Sequence, residues 1–168
     1  MAINYKLRIW CILGLILSVY ATYVEIKLLV NKDYKALCDL APKLSCTAVF
    51  NSPYGKSFGF LNMFFNEETS KWNPPNGIFG IIYYLLLLLT TFLKRPDLVK
   101  YQILFCILSN LMSIYLAYLL YILENICVVC ITIYVVNFLC LWEMLKDFNK
   151  LWLQNRTTNT KIESNKKE

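Results

Sequence analysis

The sequence predicts an all-α membrane protein, a bundle of four transmembrane helices with a lumenal cap loop between the first and second spans. Three observations carry this expectation. The 168-residue chain is 58% hydrophobic, a share that soluble domains of this size rarely reach. Its apolar residues fall into four runs, Ile9–Val24, Gly77–Leu93, Tyr101–Leu123 and Ile126–Trp142, each free of charged side chains. The basic residues gather near the ends of these runs, as topology signals do, so the net charge of +6 points to a membrane and not to nucleic acid.

The first run follows Lys6 and Arg8 and ends at Glu25 and Lys27. It reads as a span over about 9–29 or an uncleaved signal anchor; the alternative is a signal peptide cut after Val19-Tyr20-Ala21. The following segment, about 30–76, is too long and polar for a simple connector and forms the expected cap. Within it Tyr34–Leu40 reads as a short helix and Tyr54-Gly55-Lys56-Ser57 as a turn. The aromatic stretch Phe58–Phe65 reads as a segment lying on the membrane surface or covering the bundle mouth. Gly77–Leu93 is a second span of near-minimal length, closed by the basic turn Lys94-Arg95-Pro96-Asp97. Only Glu124-Asn125 separates the third run from the fourth, so the last two spans, 101–123 and 126–142, form a tight antiparallel hairpin. From about residue 150 the tail is rich in Lys, Asn and Thr and is expected to be disordered.

Charge then orients the bundle. The two ends and the second connection carry Lys6, Arg8, Lys94, Arg95, Lys100, Lys146, Lys150, Arg156, Lys161, Lys166 and Lys167, whereas Glu124-Asn125 has no basic residue. The positive-inside rule places both termini in the cytosol. Cys38, Cys46 and the start of the fourth span then face the other compartment, which is oxidising if it is the endoplasmic reticulum lumen.

The chain contains no histidine, which excludes Ser-His and Cys-His catalysis and His-bearing zinc sites. Its reactive side chains are seven cysteines. Cys127 and Cys130 lie at i and i+3, one turn apart on one helix face, where two thiols can close or receive a disulfide. With Asn125 as N-cap, Cys127 falls in the first turn, where free N–H groups and the helix dipole favour its thiolate. Cys38 and Cys46 form a second pair in the loop, and two dithiols in one compartment invite thiol–disulfide exchange. The alternatives are a permanent Cys38–Cys46 staple beside a fortuitous helical pair, or a four-thiolate zinc site that a membrane helix would obstruct. Cys11, Cys106 and Cys140, inside apolar runs, read as small buried hydrophobes. Tyr134 shares the face of Cys130, four residues on, and is otherwise an interfacial belt tyrosine. By itself Asn76 reads as an N-cap, Ser52 as a turn residue and Asn137 as an interhelical packing group. No Gly-rich fingerprint follows a strand, so no flavin or nicotinamide site is expected.

Leu37-Cys38-Asp39 with Leu44-Ser45-Cys46, Val49-Phe50, Phe58-Gly59 and Asn76-Gly77-Ile78-Phe79-Gly80 resemble the vitamin K epoxide reductase family. Cys127-Val128-Val129-Cys130-Ile131-Thr132-Ile133-Tyr134 completes the match. The resemblance runs from roughly Leu7 to Trp142 and is to the single-domain eukaryotic type. It implies thiol-dependent reduction of vitamin K epoxide and quinone, with Cys130 engaging the substrate and Cys127 as its disulfide partner. Cys38 and Cys46 become a shuttle pair fed by a lumenal thioredoxin-like or protein disulfide isomerase-type reductant. Asn76 and Tyr134 match polar contacts to the naphthoquinone head, Phe50 and Phe79 match pocket aromatics, and Ser52 matches a hydroxyl anchoring the cap. The resemblance further implies no metal, no permanently bound cofactor, an endoplasmic reticulum membrane, and inhibition by 4-hydroxycoumarin anticoagulants. Two other functions use the same features: a quinone-linked oxidase that generates disulfides, and a non-catalytic four-span scaffold.

Overall fold

The computed structural model describes residues 5–31, 33–41, 43–55, 74–93 and 98–165. It contains helices α1 (Tyr5–Val30), α2 (Cys46–Phe50), α3 (Asn76–Leu93), α4 (Leu98–Ile122) and α5 (Val128–Asn165), with a 3₁₀ turn at Pro53–Gly55. Four are long and apolar enough to cross a bilayer: α1, α3, α4 and the Val128–Gln154 part of α5. Burial is reversed relative to a water-soluble bundle. Large apolar side chains point outward, with Leu89 58% and Ile114 68% exposed, while Ser18, Thr22, Gln102, Ser113 and Asn137 are buried. Such a surface is stable only against lipid, and the chain is a multi-pass membrane protein.

α1 packs lengthwise between α3 and α5, and α5 packs on α4. Close approach of α1 and α3 depends on glycine. A Cβ on Gly77 would lie 2.7 Å from the Thr22 nitrogen and 2.9 Å from the Ser18 carbonyl oxygen. Without one, the two backbones touch, the small-residue packing that lipid favours because no hydrophobic force draws spans together. At one end Arg8 donates to Thr91 Oγ1 and to the Thr91 carbonyl, both at 3.2 Å, and stacks 4.1 Å over Phe92. A cation there complements the negative C-terminal end of α3.

The mid-bundle core joins Leu7, Cys11, Tyr84, Leu87, Cys106, Val136, Cys140 and Met144. Cys11, Cys106 and Cys140 have no exposed surface, as expected for small buried hydrophobes. Asn137 ties three spans together here. Its Oδ1 accepts from the Tyr84 hydroxyl at 2.7 Å, its Nδ2 donates to Ser113 Oγ at 2.9 Å, and its carbonyl accepts from Asn110 Nδ2 at 3.1 Å. Asn137→Leu removes the acceptor of the Tyr84 hydroxyl in an apolar interior, while Ser113 keeps its bond to the Ser109 carbonyl at 2.9 Å. We expect a loss of about 1–2 kcal/mol, read as a lower unfolding midpoint in detergent, with Tyr84→Phe costing less.

Three local expectations are corrected. Tyr34–Leu40 is not a short helix but turns and irregular chain; the loop's helix is α2, where Ser45 caps the Ala48 N–H at 3.1 Å. Ser45 starts a helix because its hydroxyl satisfies an orphan donor, whereas the Ala36 N–H is taken by the side chains of Asp39 and Thr47. The tail is not disordered from residue 150, since α5 continues to Asn165. Met144, Phe148 and Leu151 extend its apolar stripe onto the core, Lys146 pairs with Glu143 at 3.0 Å, and no Gly or Pro interrupts it. The third correction, the cap of α5, belongs to the site. The aromatic stretch Phe58–Phe65 and the basic turn Lys94–Asp97 lie outside the described residues.

Candidate active site

The site begins with a carboxylate that shapes the loop. Asp39 Oδ1 accepts from Ser45 Oγ at 2.9 Å and from the Thr47 N–H at 3.0 Å. Its Oδ2 accepts from the Ala36 N–H at 3.2 Å and from the Thr47 hydroxyl. Burial pushes the Asp39 carboxyl up, but the bonds from Thr47, Ser45 and Ala36 outweigh it and hold the group below the usual carboxylate range. These bonds fold residues 36–47 around α2 and bring Cys38 to Cys46, which are joined by a disulfide.

A second set of contacts docks this unit on the bundle. The Ile126 N–H donates to the Lys43 carbonyl at 2.8 Å, and Leu44 pairs with Ile126 as an isolated parallel bridge. The hairpin corner turns at Glu124, whose φ of 51° lies in the left-handed region, and its carboxylate sits 3.7 Å from Lys43 Nζ. The start of α2 is thereby held against the start of α5. Cys46 and Cys127, both without exposed surface, share one apolar cluster with Val24, Leu28, Val49 and Phe50. Half-buried Cys38 and Cys130 pack on the same cluster. The Tyr20 hydroxyl reaches Cys38 Sγ at 3.9 Å.

At the start of α5 the expected cap is replaced. Asn125 donates to the Leu123 carbonyl at 2.8 Å and closes the hairpin. Cys127 itself takes the N-cap position, its Sγ accepting from the Cys130 N–H at 3.2 Å. Sulfur in place of the usual oxygen still satisfies an orphan donor of the first turn. The Cys130 thiol and the N–H groups of Cys130 and Val129 lower the Cys127 pKa against the opposing effect of burial. Cys127 therefore stands at the cap of α5 and not in its first turn, where an Asn125 cap would have placed it.

Beside the thiols lies a cavity of about 300 Å³. Phe50, Ser52, Asn76, Phe79, Cys130 and Tyr134 all line it. Cys130 and Tyr134 enter from one face of α5, as their spacing requires. Asn76, the first residue of α3, donates from Nδ2 to the Tyr54 carbonyl at 2.9 Å and ties the loop to the second span. The Ser52 hydroxyl donates to the Val49 carbonyl at 2.6 Å, a local turn bond at the end of α2. Exposed Phe79 of α3 and Phe105 and Leu108 of α4 line the cavity from two spans that touch each other little. Cys38, Cys46 and Cys127 do not line the cavity; Cys130 is the thiol common to cavity and cluster.

Residues 7–145 match the model of the vitamin K epoxide reductase family. The chain belongs to this family. It is 38% identical over 132 residues to the rat vitamin K epoxide reductase complex subunit 1, covering 76% of this chain and 79% of the relative. To the mouse vitamin K epoxide reductase complex subunit 1 it is 36% identical over 146 residues, covering 84% and 86%. In this family member the structure adds cavity residues that the sequence left aside: Glu25, Tyr83, Tyr84 and Asn137. One signal was present, since Ser18, Thr22 and Glu25 fall at i, i+4 and i+7 and so share a face of α1.

The Asp39 network yields a prediction with a definite sign. A carboxyl whose folded pKa is depressed stabilises the loop above its unfolded pKa of about 4 and loses that contribution as pH falls through the folded value. Asp39→Asn should therefore reproduce at neutral pH what acid does to the wild type. The loop should become more sensitive to proteolysis between residues 36 and 47.

Proposed function

We propose that the protein reduces vitamin K 2,3-epoxide to the quinone, and the quinone to the hydroquinone, using protein thiols as the electron source. The observation that carries this reading is the sharing of Cys130 between the cavity and a cluster that also holds Cys38, Cys46 and Cys127. Cys130 engages the bound substrate, and the Cys127 thiolate then attacks the Cys130 sulfur. The electron pair passes to the substrate, which takes up two protons while the Cys127–Cys130 disulfide forms; in the epoxide step the oxygen leaves as water. Cys46 next attacks Cys127, and Cys38 resolves the mixed disulfide, leaving Cys38–Cys46 oxidised. The lowered proton affinity of Cys127 suits this last step, because a more acidic thiol leaves faster. A lumenal thioredoxin-like protein, of the protein disulfide isomerase type, then reduces the loop pair.

The head of the substrate sits near Asn76 and Tyr134 between Phe50 and Phe79, and its apolar tail enters from lipid between α3 and α4. 4-Hydroxycoumarins compete for the same place. No permanent cofactor takes part, since thiols supply the electrons. The membrane is that of the endoplasmic reticulum, with both termini cytosolic. The test is turnover of vitamin K epoxide and quinone by the purified protein with a small dithiol. Disulfide formation in reduced lumenal proteins that outpaces both reductions would instead favour the oxidase, and a folded, inactive protein would favour the scaffold.

A further inference from the structure

Quinone reduction moves two protons along with two electrons: quinone plus two thiols gives hydroquinone plus disulfide. Protons must still travel from sulfur to oxygen inside a cavity whose bulkiest lining side chains are Phe, Tyr and Leu. The chain has no histidine to carry them. Tyrosine hydroxyls, with an ordinary pKa of about 10, are poor acceptors at neutral pH. Among the described residues lining the cavity, Glu25 is the one carboxyl. It is 3% exposed, lies next to Val24 of the cluster that holds the cysteines, and lines the same cavity as Cys130. A carboxyl inside a membrane bundle is costly and characteristically belongs to a proton or ligand path.

We propose that Glu25 is the proton carrier of the cavity. As carboxylate it takes the proton of the Cys130 thiol. As carboxylic acid it gives that proton to the substrate oxygen receiving the electron pair, and it ends unchanged. The other quinone oxygen takes its proton from solvent, replacing the one Cys127 released on becoming a thiolate, so quinone plus two thiols still gives hydroquinone plus disulfide. This rests on the reduction proposed above and assigns a further residue to it.

The test is a single turnover: the full-length protein, with Cys127 and Cys130 reduced and free dithiol removed, is mixed with vitamin K quinone and hydroquinone formation is followed. Wild-type turnover is scored first, and its absence would count against the proposed reduction itself. Given that turnover, Glu25→Gln keeps shape and removes the acid. It should slow the step by about 100-fold, leave quinone affinity within twofold, and raise the solvent deuterium isotope effect. Glu25→Asp should recover at least about tenfold of the loss. A Glu25→Gln rate within threefold of wild type overturns the proposal. So does an equal loss in Glu25→Gln and Glu25→Asp accompanied by weaker quinone binding and a lower melting temperature, the mark of a structural role. Should Glu25→Gln not fold, Glu25→Asp decides alone, since displacing the carboxyl by one methylene should slow the step at least severalfold and raise the isotope effect, and wild-type values for both would overturn the assignment.

Discussion

Replacing Cys130 with Ser should abolish reduction of both vitamin K epoxide and quinone, whatever the reductant, whereas Cys38→Ser should abolish it only with a thioredoxin-like donor. The two cysteines pack on one cluster, but of the two only Cys130 lines the cavity. Cys130 lines the cavity, so its removal takes away the sulfur nearest the substrate. Cys38 is half-buried in the loop, bonded to Cys46, and does not line the cavity. A small dithiol can reach Cys127–Cys130 without the loop, so Cys38→Ser should keep a substantial part of its turnover in that assay. Serine is nearly isosteric with cysteine, and the Cys127 cap bond comes from the Cys130 backbone N–H, which the substitution preserves. The fold of Cys130→Ser should therefore match the wild type in a melting assay. Equal turnover in wild type, Cys130→Ser and Cys38→Ser would refute the assignment of Cys130 as the reactive thiol.

The second large effect is structural. Gly77→Val should destabilise the bundle by about 3 kcal/mol or more, an overpacking cost at the upper end of the usual range. Even the Cβ alone would sit 2.3 Å from Thr22 Oγ1 and 2.7 Å from the Thr22 nitrogen. The hydroxyl can rotate away, but the backbone nitrogen cannot, so α1 and α3 must separate. Thr22→Ala added to Gly77→Ala should consequently restore only part of the stability lost in Gly77→Ala. Because Asn76 precedes Gly77 and lines the cavity, quinone affinity should fall together with the unfolding midpoint.

How much of this was legible in the chain divides along physical lines. The number and approximate extent of the spans were, because a run of uncharged apolar residues has one stable solution in a bilayer and its length must match the hydrocarbon thickness. The Cys127–Cys130 pair was, because a spacing of three residues on a helix puts two side chains on one face, whereas Cys38 and Cys46 were paired as the two cysteines of one loop. The extent of α5 was misjudged because composition after Trp142 resembles a tail, although Met144, Phe148 and Leu151 continue the helical stripe onto the core. The N-cap was assigned to Asn125 by residue preference, whereas the hairpin turn at Glu124 committed that amide to the Leu123 carbonyl and left the position to Cys127.

By itself, then, the sequence determined that the protein crosses a membrane four times and carries two dithiols on one side of it. Tertiary structure alone decided which polar side chains the cavity receives. A span that is apolar all round has no strong amphipathic direction, so its rotation is not written in its hydrophobic pattern. Rotation is set where small residues let backbones touch, at Gly77 against Ser18 and Thr22, and where buried polar groups find partners, at Tyr84, Asn137 and Ser113. Those contacts turn Glu25 and Cys130 toward the same space, a juxtaposition that spans more than a hundred residues of chain and that no local spacing encodes.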